Sequence, residues 1–182
     1  MFSRLGIPAP DRIAVGEERD RIGRLLRTLI ITRAVPAALT LTEFVKKYCP
    51  SRSTRESRSL RTKVCREAAQ LTRRAHRAGF YHNDLFWRNV LITWQRPSDP
   101  KVWWLDCPRG GFTRVPIVRE RRRLKDLASL DKLALCHCSA GERLLFVKTY
   151  LGKSRIDEEV RRLIRREVAY HRRRWPEDWN GN

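Results

Sequence analysis

Apolar residues along this chain fall into two periods, and the change between them maps the elements. Leu25 to Thr32 is an apolar, β-branched run that predicts a strand. A shorter extended segment, Arg12 to Val15, precedes it, with a polar loop over Glu17 to Gly23 between. Pro36 then breaks regular structure, since it has no N–H for a ladder. Thr40 and Glu43 form a capping-box pattern that opens a short helix to about Tyr48. Cys49 to Glu56 reads as a loop. After it, Leu60, Val64, Ala68, Leu71 and Ala75 recur every three or four residues, which predicts a long amphipathic helix ending at Gly79.

The middle of the chain changes to two short apolar runs, Val90 to Trp94 and Val102 to Leu105, joined by the turn Arg96-Pro97-Ser98-Asp99-Pro100. Helical spacing returns over Arg121 to Leu135. A second capping box, Ser139 and Glu142, opens a helix to about Tyr150, and a very basic helix is predicted over Ile156 to Trp175. The first half is therefore mixed and the second helical, an α+β pattern.

Immediately before the first apolar run lies His82-Asn83-Asp84-Leu85-Phe86-Trp87-Arg88-Asn89. It has the H-x-D-x-x-x-x-N spacing of a phosphoryl-transfer catalytic loop, and the second run ends on Asp106. Such transfer asks the protein for positioning and charge neutralisation more than for covalent chemistry. Asp84 suits the group that accepts or orients the proton of an attacking hydroxyl. Asn89 and Asp106 offer the hard oxygens that Mg2+ takes. Arg88 suits a fixed cation that would neutralise the γ-phosphate or orient Asp84. His82 suits a loop organiser bonded to backbone better than an acid or base.

Charge adds a second theme. The 182 residues carry 40 Lys and Arg against 20 Asp and Glu, a net charge of +20, and thirty-two of the basic residues are arginine. Such a field attracts polyanions: nucleotides, lipid head groups, lipopolysaccharide or nucleic acid. No zinc-finger, RNA-binding-sheet or basic-zipper pattern accompanies it, so no specific nucleic acid is expected. Five cysteines do not pair evenly and suit a reducing compartment. Cys136-His137-Cys138 is too tight for a structural zinc site, and its place at the end of a helix suits a buried thiol. No apolar run is long enough to span a bilayer, and no signal-peptide core opens the chain.

With those motifs in place, the chain resembles the lipopolysaccharide kinases of the Kdo/WaaP, InaA-like group within the protein-kinase-like superfamily. The likeness rests on Leu5 to Pro10, Ile30 to Pro36, His82 to Leu91, Trp104 to Asp106 and Arg122 to Leu130. It implies a protein-kinase-like fold with a mostly helical C-lobe and an incomplete N-lobe. Residues 1–36 would be the last N-lobe strands and hinge, 37–175 the C-lobe and 176–182 a tail. It implies ATP and Mg2+ as cofactors and a sugar hydroxyl of the lipopolysaccharide core as acceptor. It also implies a place at the cytoplasmic face of the inner membrane, with an anionic membrane surface as a further partner. Arg33 and Val35 would meet the adenine through their backbones, and Asp126 would brace the catalytic loop from behind.

The chain also departs from the pattern. Asp106 is followed by Cys107-Pro108 in place of Phe-Gly, and Asn83 replaces the usual Arg. No G-x-G-x-x-G precedes the hinge, and the first lysine is Lys46, beyond it. The expectation is an N-lobe cut short. Two readings compete with the active enzyme: a pseudokinase or binding module, and a basic protein that binds RNA or anionic membrane.

Overall fold

The computed structural model describes residues 2–51, 54–96 and 98–178. Arg52 and Ser53 of the predicted loop, Pro97 of the predicted turn and residues 179–182 of the tail lie outside them. After a 3-10 turn at Phe2–Leu5, strands β1 (Arg12–Arg19) and β2 (Leu25–Thr32) form an antiparallel hairpin. Short β3 (Leu39–Thr40) leads into helices α1 (Leu41–Tyr48) and α2 (Arg55–Arg77). Then come β4 (Phe80–Tyr81), β5 (Val90–Thr93), β6 (Lys101–Trp104) and β7 (Gly111–Phe112). Helices α3 (Pro116–His137), α4 (Ala140–Leu151) and α5 (Glu158–Arg174) complete the chain. Helix and strand are mixed as the apolar periods predict.

Three small sheets result. β3, β5 and β6 form one, with Val90 opposite Trp104 and Ile92 opposite Val102. β4 pairs with β7, Phe80 opposite Phe112, and this pairing pins the base of the segment between them. The hairpin β1–β2 is the third. Its apolar side chains stay outside: Ile13, Val15, Leu25, Leu26, Leu29, Ile30 and Ile31 are all exposed.

Helix α2 is the spine. Leu60, Val64, Ala68, Leu71 and Ala75 enter a core with Phe44, Phe80, Leu85, Trp87, Ile92, Val102 and Trp104. Ala69, one step around the helix, joins Leu124, Leu127, Tyr150 and Leu163 in a second cluster. Both capping boxes form: Glu43 accepts from the Thr40 N–H at 2.8 Å, and Glu142 accepts from the Ser139 N–H at 2.7 Å. Glu142 also takes the buried Arg61 of α2 at 2.6 Å, which ties α4 to α2.

Some boundaries move. The polar loop predicted over Glu17 to Gly23 is shorter, because β1 continues to Arg19. Both faces of this hairpin meet solvent, so polar Glu17 and Glu18 cost the strand nothing. The turn is closed by Asp20, which accepts from the N–H groups of Ile22 at 3.0 Å and Arg24 at 2.8 Å. Helix α3 starts at Pro116, five residues before the predicted Arg121, because proline fits the first helical position, where its missing N–H costs no bond. Cys136 is exposed, contrary to the buried thiol expected at that helix end, while His137 stacks on Trp87 at 5.5 Å.

Candidate active site

The loop between β4 and β5 is held from below by one carboxylate. Asp126 on α3 is fully buried, and its Oδ1 accepts from the Asn83 N–H at 2.7 Å. Its Oδ2 accepts from the His82 N–H at 2.8 Å and lies 3.2 Å from His76 Nε2. Asn83 has a positive φ of 63°, a conformation in which an asparagine side chain is tolerated. Its amide donates to the Arg109 carbonyl at 2.8 Å, which stitches this loop to the segment after β6.

Within the loop, the side chains of Asp84, Arg88 and Asn89 form one constellation. Asn89 Nδ2 donates to the Asp84 main-chain carbonyl at 2.8 Å and to Asp84 Oδ2 at 2.9 Å. Arg88 Nη2 donates to the same Oδ2 at 2.9 Å and stacks on the Phe86 ring at 4.5 Å. Oδ2 is therefore occupied twice. Oδ1 makes no bond to a described residue. Asn89 itself is buried, and both of its side-chain bonds use the nitrogen, so its carbonyl oxygen is left for another partner.

Asp106 comes beside this group through the backbone. The Leu105 N–H donates to the Asn89 carbonyl at 2.8 Å, extending the β5–β6 pairing one step, so the next residue flanks Asn89. Asp106 is exposed, with a φ of 43° that is costly for a residue with a Cβ. Its carboxylate makes no hydrogen bond or ion pair to any described residue. An unpaired carboxylate on Asp106 and an open amide oxygen on Asn89, carried on adjoining segments, are hard donors of the kind a divalent cation takes, so the residue types present fit Mg2+.

His82 is fully buried and its Nε2 bonds the Leu105 carbonyl at 2.9 Å, between the loop and the strand that ends on Asp106. Burial pulls its pKa below the ordinary histidine value, although Asp126 and Asp84 pull the other way. The neutral ring then donates from Nε2 to that carbonyl. Cys107 packs under the same loop, its Sγ 3.6 Å from the His82 carbonyl. Burial first, then the charges of Asp126, Asp106 and Asp84, push its thiol up to about 12. The segment after Asp106 is thus packed onto the loop through Cys107.

Arg33 and Val35 lie apart from this cluster in the sequence, in the turn after β2. The Arg33 N–H donates to the Asp11 carbonyl at 2.8 Å, and the Val35 carbonyl accepts from Ala38 at 3.3 Å. The Arg33 carbonyl and the Val35 N–H make no bond to a described residue.

Several supports were not singled out from sequence. His76 looks like one more polar residue of α2, yet it is buried between Asp126 and the Tyr150 hydroxyl, 2.8 Å away. Its place beside Ala75 on the apolar stripe is the signal that could have marked it. Phe86 meets Trp175, at the end of α5, at 5.9 Å. No local pattern announces that contact, because the two are eighty-nine positions apart in the chain.

A family model described as the lipopolysaccharide kinase (Kdo/WaaP) family matches residues 1–166. Among solved structures, WaaP in complex with acyl carrier protein aligns with a TM-score of 0.76 at 22% identity, over 98% of this chain and 73% of that one. At that identity the likeness speaks for the fold. The search of curated proteins returned no match.

Proposed function

The chain belongs to the lipopolysaccharide kinase (Kdo/WaaP) family, and from that premise we propose that it transfers the γ-phosphoryl group of ATP to a sugar hydroxyl of the lipopolysaccharide core. The observation that carries this reading is the fixing of Asp84. Asn89 and Arg88 both hold its Oδ2 at 2.9 Å, which leaves Oδ1 as the one carboxylate oxygen for an acceptor to meet. The acceptor oxygen attacks the γ-phosphorus, the bond to the bridging oxygen breaks, ADP leaves, and the acceptor proton passes to Asp84 Oδ1. Asn89 and Asp106 would hold Mg2+, which supplies charge neutralisation on the nucleotide phosphates when bound. The remaining N–H groups of Arg88, whose side chain is exposed, suit the charge that spreads over the transferring phosphoryl.

The Arg33 carbonyl and Val35 N–H would pair with adenine, and the net charge of +20 would draw an anionic saccharide to the cleft. No helix among the described residues is long and apolar enough to cross a membrane. The proposed place of work is the cytoplasmic face of the inner membrane, reached through charge. Transfer of labelled phosphate from ATP to dephosphorylated core saccharide tests the reading. Loss of transfer in Asp84→Asn supports it, and unchanged transfer overturns the assignment of Asp84.

The related WaaP structure is a complex with acyl carrier protein, and one observation favours a similar partner here. A cavity of about 450 Å3 lies among α1 to α5, walled by residues such as Phe44, Val64, Leu130, Phe146 and Leu163. Its lining is mostly apolar; of its charged groups Arg61 pairs with Glu142 and Arg143 with Asp131, both at 2.6 Å, beside Glu167. We propose that it takes the acyl group of such a carrier. Acylated carrier should raise the melting temperature of the chain more than the unacylated form does. Equal shifts would remove the acyl group from the proposal.

A further inference from the structure

Behind the catalytic loop lies a second cavity, of about 390 Å3, that none of Asp84, Arg88, Asn89 or Asp106 lines. Arg73 and Arg77 come to it from α2, and Arg119 and Arg123 from α3. Arg73 and Arg77 meet no carboxylate of any described residue. Arg119 donates to the Tyr81 hydroxyl at 3.3 Å, and Arg123 to the Tyr150 hydroxyl at 2.9 Å. Two carboxylates stand at the wall, each met by a cation from outside the cavity, and Glu120 is met by Arg123 as well. Glu159 is 2.8 Å from Lys153, and Glu120 is 3.0 Å from Arg166. Arg123 is 3.5 Å from Glu120, and the other three guanidinium groups share the space with no carboxylate partner among the described residues, an arrangement that repels itself until an anion enters.

Two further features point the same way. Pro116, the first residue of α3, lines the cavity. The residue before it, Val115, gives no side-chain cap, and the first turn holds no acid. The partial positive charge of a long helix therefore faces the space unanswered. Arg73 is also held in place: its guanidinium lies over Gly152, at the C-cap of α4, where a Cβ would collide with it.

We propose that this cavity binds a phosphorylated saccharide, with the four arginines on the phosphate. Planar guanidinium forks match phosphate oxygens bidentately. The volume exceeds what a lone phosphate fills, and the edges of the buried Tyr81 and Tyr150 rings, with Leu151, close the wall beside the guanidinium groups. The floor reaches the catalytic loop in two steps, since His76 touches both the Tyr150 hydroxyl and Asp126. The assignment does not depend on which reaction the catalytic loop performs, because binding alone tests it.

Calorimetric titration of the full chain at an ionic strength of about 0.15 M, where loose surface attraction is screened, is the experiment. Glucose 6-phosphate should bind once per chain and more tightly than inorganic phosphate. The variant Arg77→Gln/Arg119→Gln should weaken it about tenfold or more with an unchanged melting temperature. The variant Arg161→Gln/Arg165→Gln removes the same charge from α5, outside the cavity, and should leave binding within about twofold. Equal weakening in both variants, or a titration that never saturates, would overturn the site. Inorganic phosphate binding as tightly as the sugar phosphate would overturn the saccharide assignment.

Discussion

Asp126 Oδ1 takes the main-chain N–H of Asn83 at 2.7 Å, forty-three residues back along the chain. With the neighbouring bond to the His82 N–H at 2.8 Å, one buried side chain fixes the backbone from which Asp84 projects. Removing it leaves two buried donors without acceptors. Asp126→Ala should therefore lose about 3 kcal/mol or more of stability. Asp126→Asn, which keeps one acceptor oxygen, should fall between. Urea unfolding checks both, and a wild-type midpoint for Asp126→Ala would remove the brace.

Asn89 and Asp106 should fail differently from Asp84. Asn89→Ala frees Asp84 Oδ2 from one of its two holders and removes a proposed metal oxygen. It should lower phosphoryl transfer by about a hundredfold or more. Asp106→Ala should lose transfer to a similar degree with little change in stability, because the carboxylate it removes has no partner among the described residues and alanine keeps the Cβ at a φ of 43°. Metal titration at fixed ATP separates the two roles: Asp106→Ala should need more Mg2+, and Asp84→Asn should not.

Glu167 gives the chain a pH dependence of defined sign. Burial first, then the charge of Asp131, pushes its carboxyl up to about 8, against the pull of Arg143. His171 Nδ1 stands 3.8 Å from Glu167 and 4.0 Å from Asp131, and Asp178 holds the other ring nitrogen at 2.9 Å. The folded state keeps a proton on Glu167 that the unfolded chain gives up near the ordinary carboxylate pKa. Stability is then full below that ordinary value and declines as pH rises toward about 8. Unfolding midpoints at pH 5.5 and 8.5 should show the decline, and Glu167→Gln should flatten it.

Arg61 and Glu142 form the principal buried ion pair between α2 and α4, at 2.6 Å. Arg61→Met leaves Glu142 charged and half-covered, and should cost about 3 kcal/mol. The double variant Arg61→Met/Glu142→Gln keeps the capping box and removes both charges, so most of the loss should return. A double variant no more stable than the single one would assign the effect to packing alone.

The thiols should sort by environment. Burial pushes Cys65 and Cys107 up to about 12, whereas Cys136 is exposed. Alkylation followed by mass spectrometry should find Cys136 labelled first, and Cys136→Ser should leave phosphoryl transfer unchanged.

Features encoded by local spacing were readable along the chain. The stripe Leu60 to Ala75 gave α2, the two capping boxes gave the starts of α1 and α4, and the H-x-D-x-x-x-x-N run named the loop. These signals were legible because their physics lies within one or two turns of chain. Which atoms meet came from the packing of the folded chain. It joined Leu105 to Asn89 and so set Asp106 beside the loop, buried His76 against Asp126, and brought Trp175 to Phe86. It also left the apolar hairpin β1–β2 exposed and gathered four arginines from two helices around one cavity. Long-range contacts of this kind depend on how α2, α3 and α5 pack, and helix periodicity fixes which face is apolar without fixing which partner that face will find.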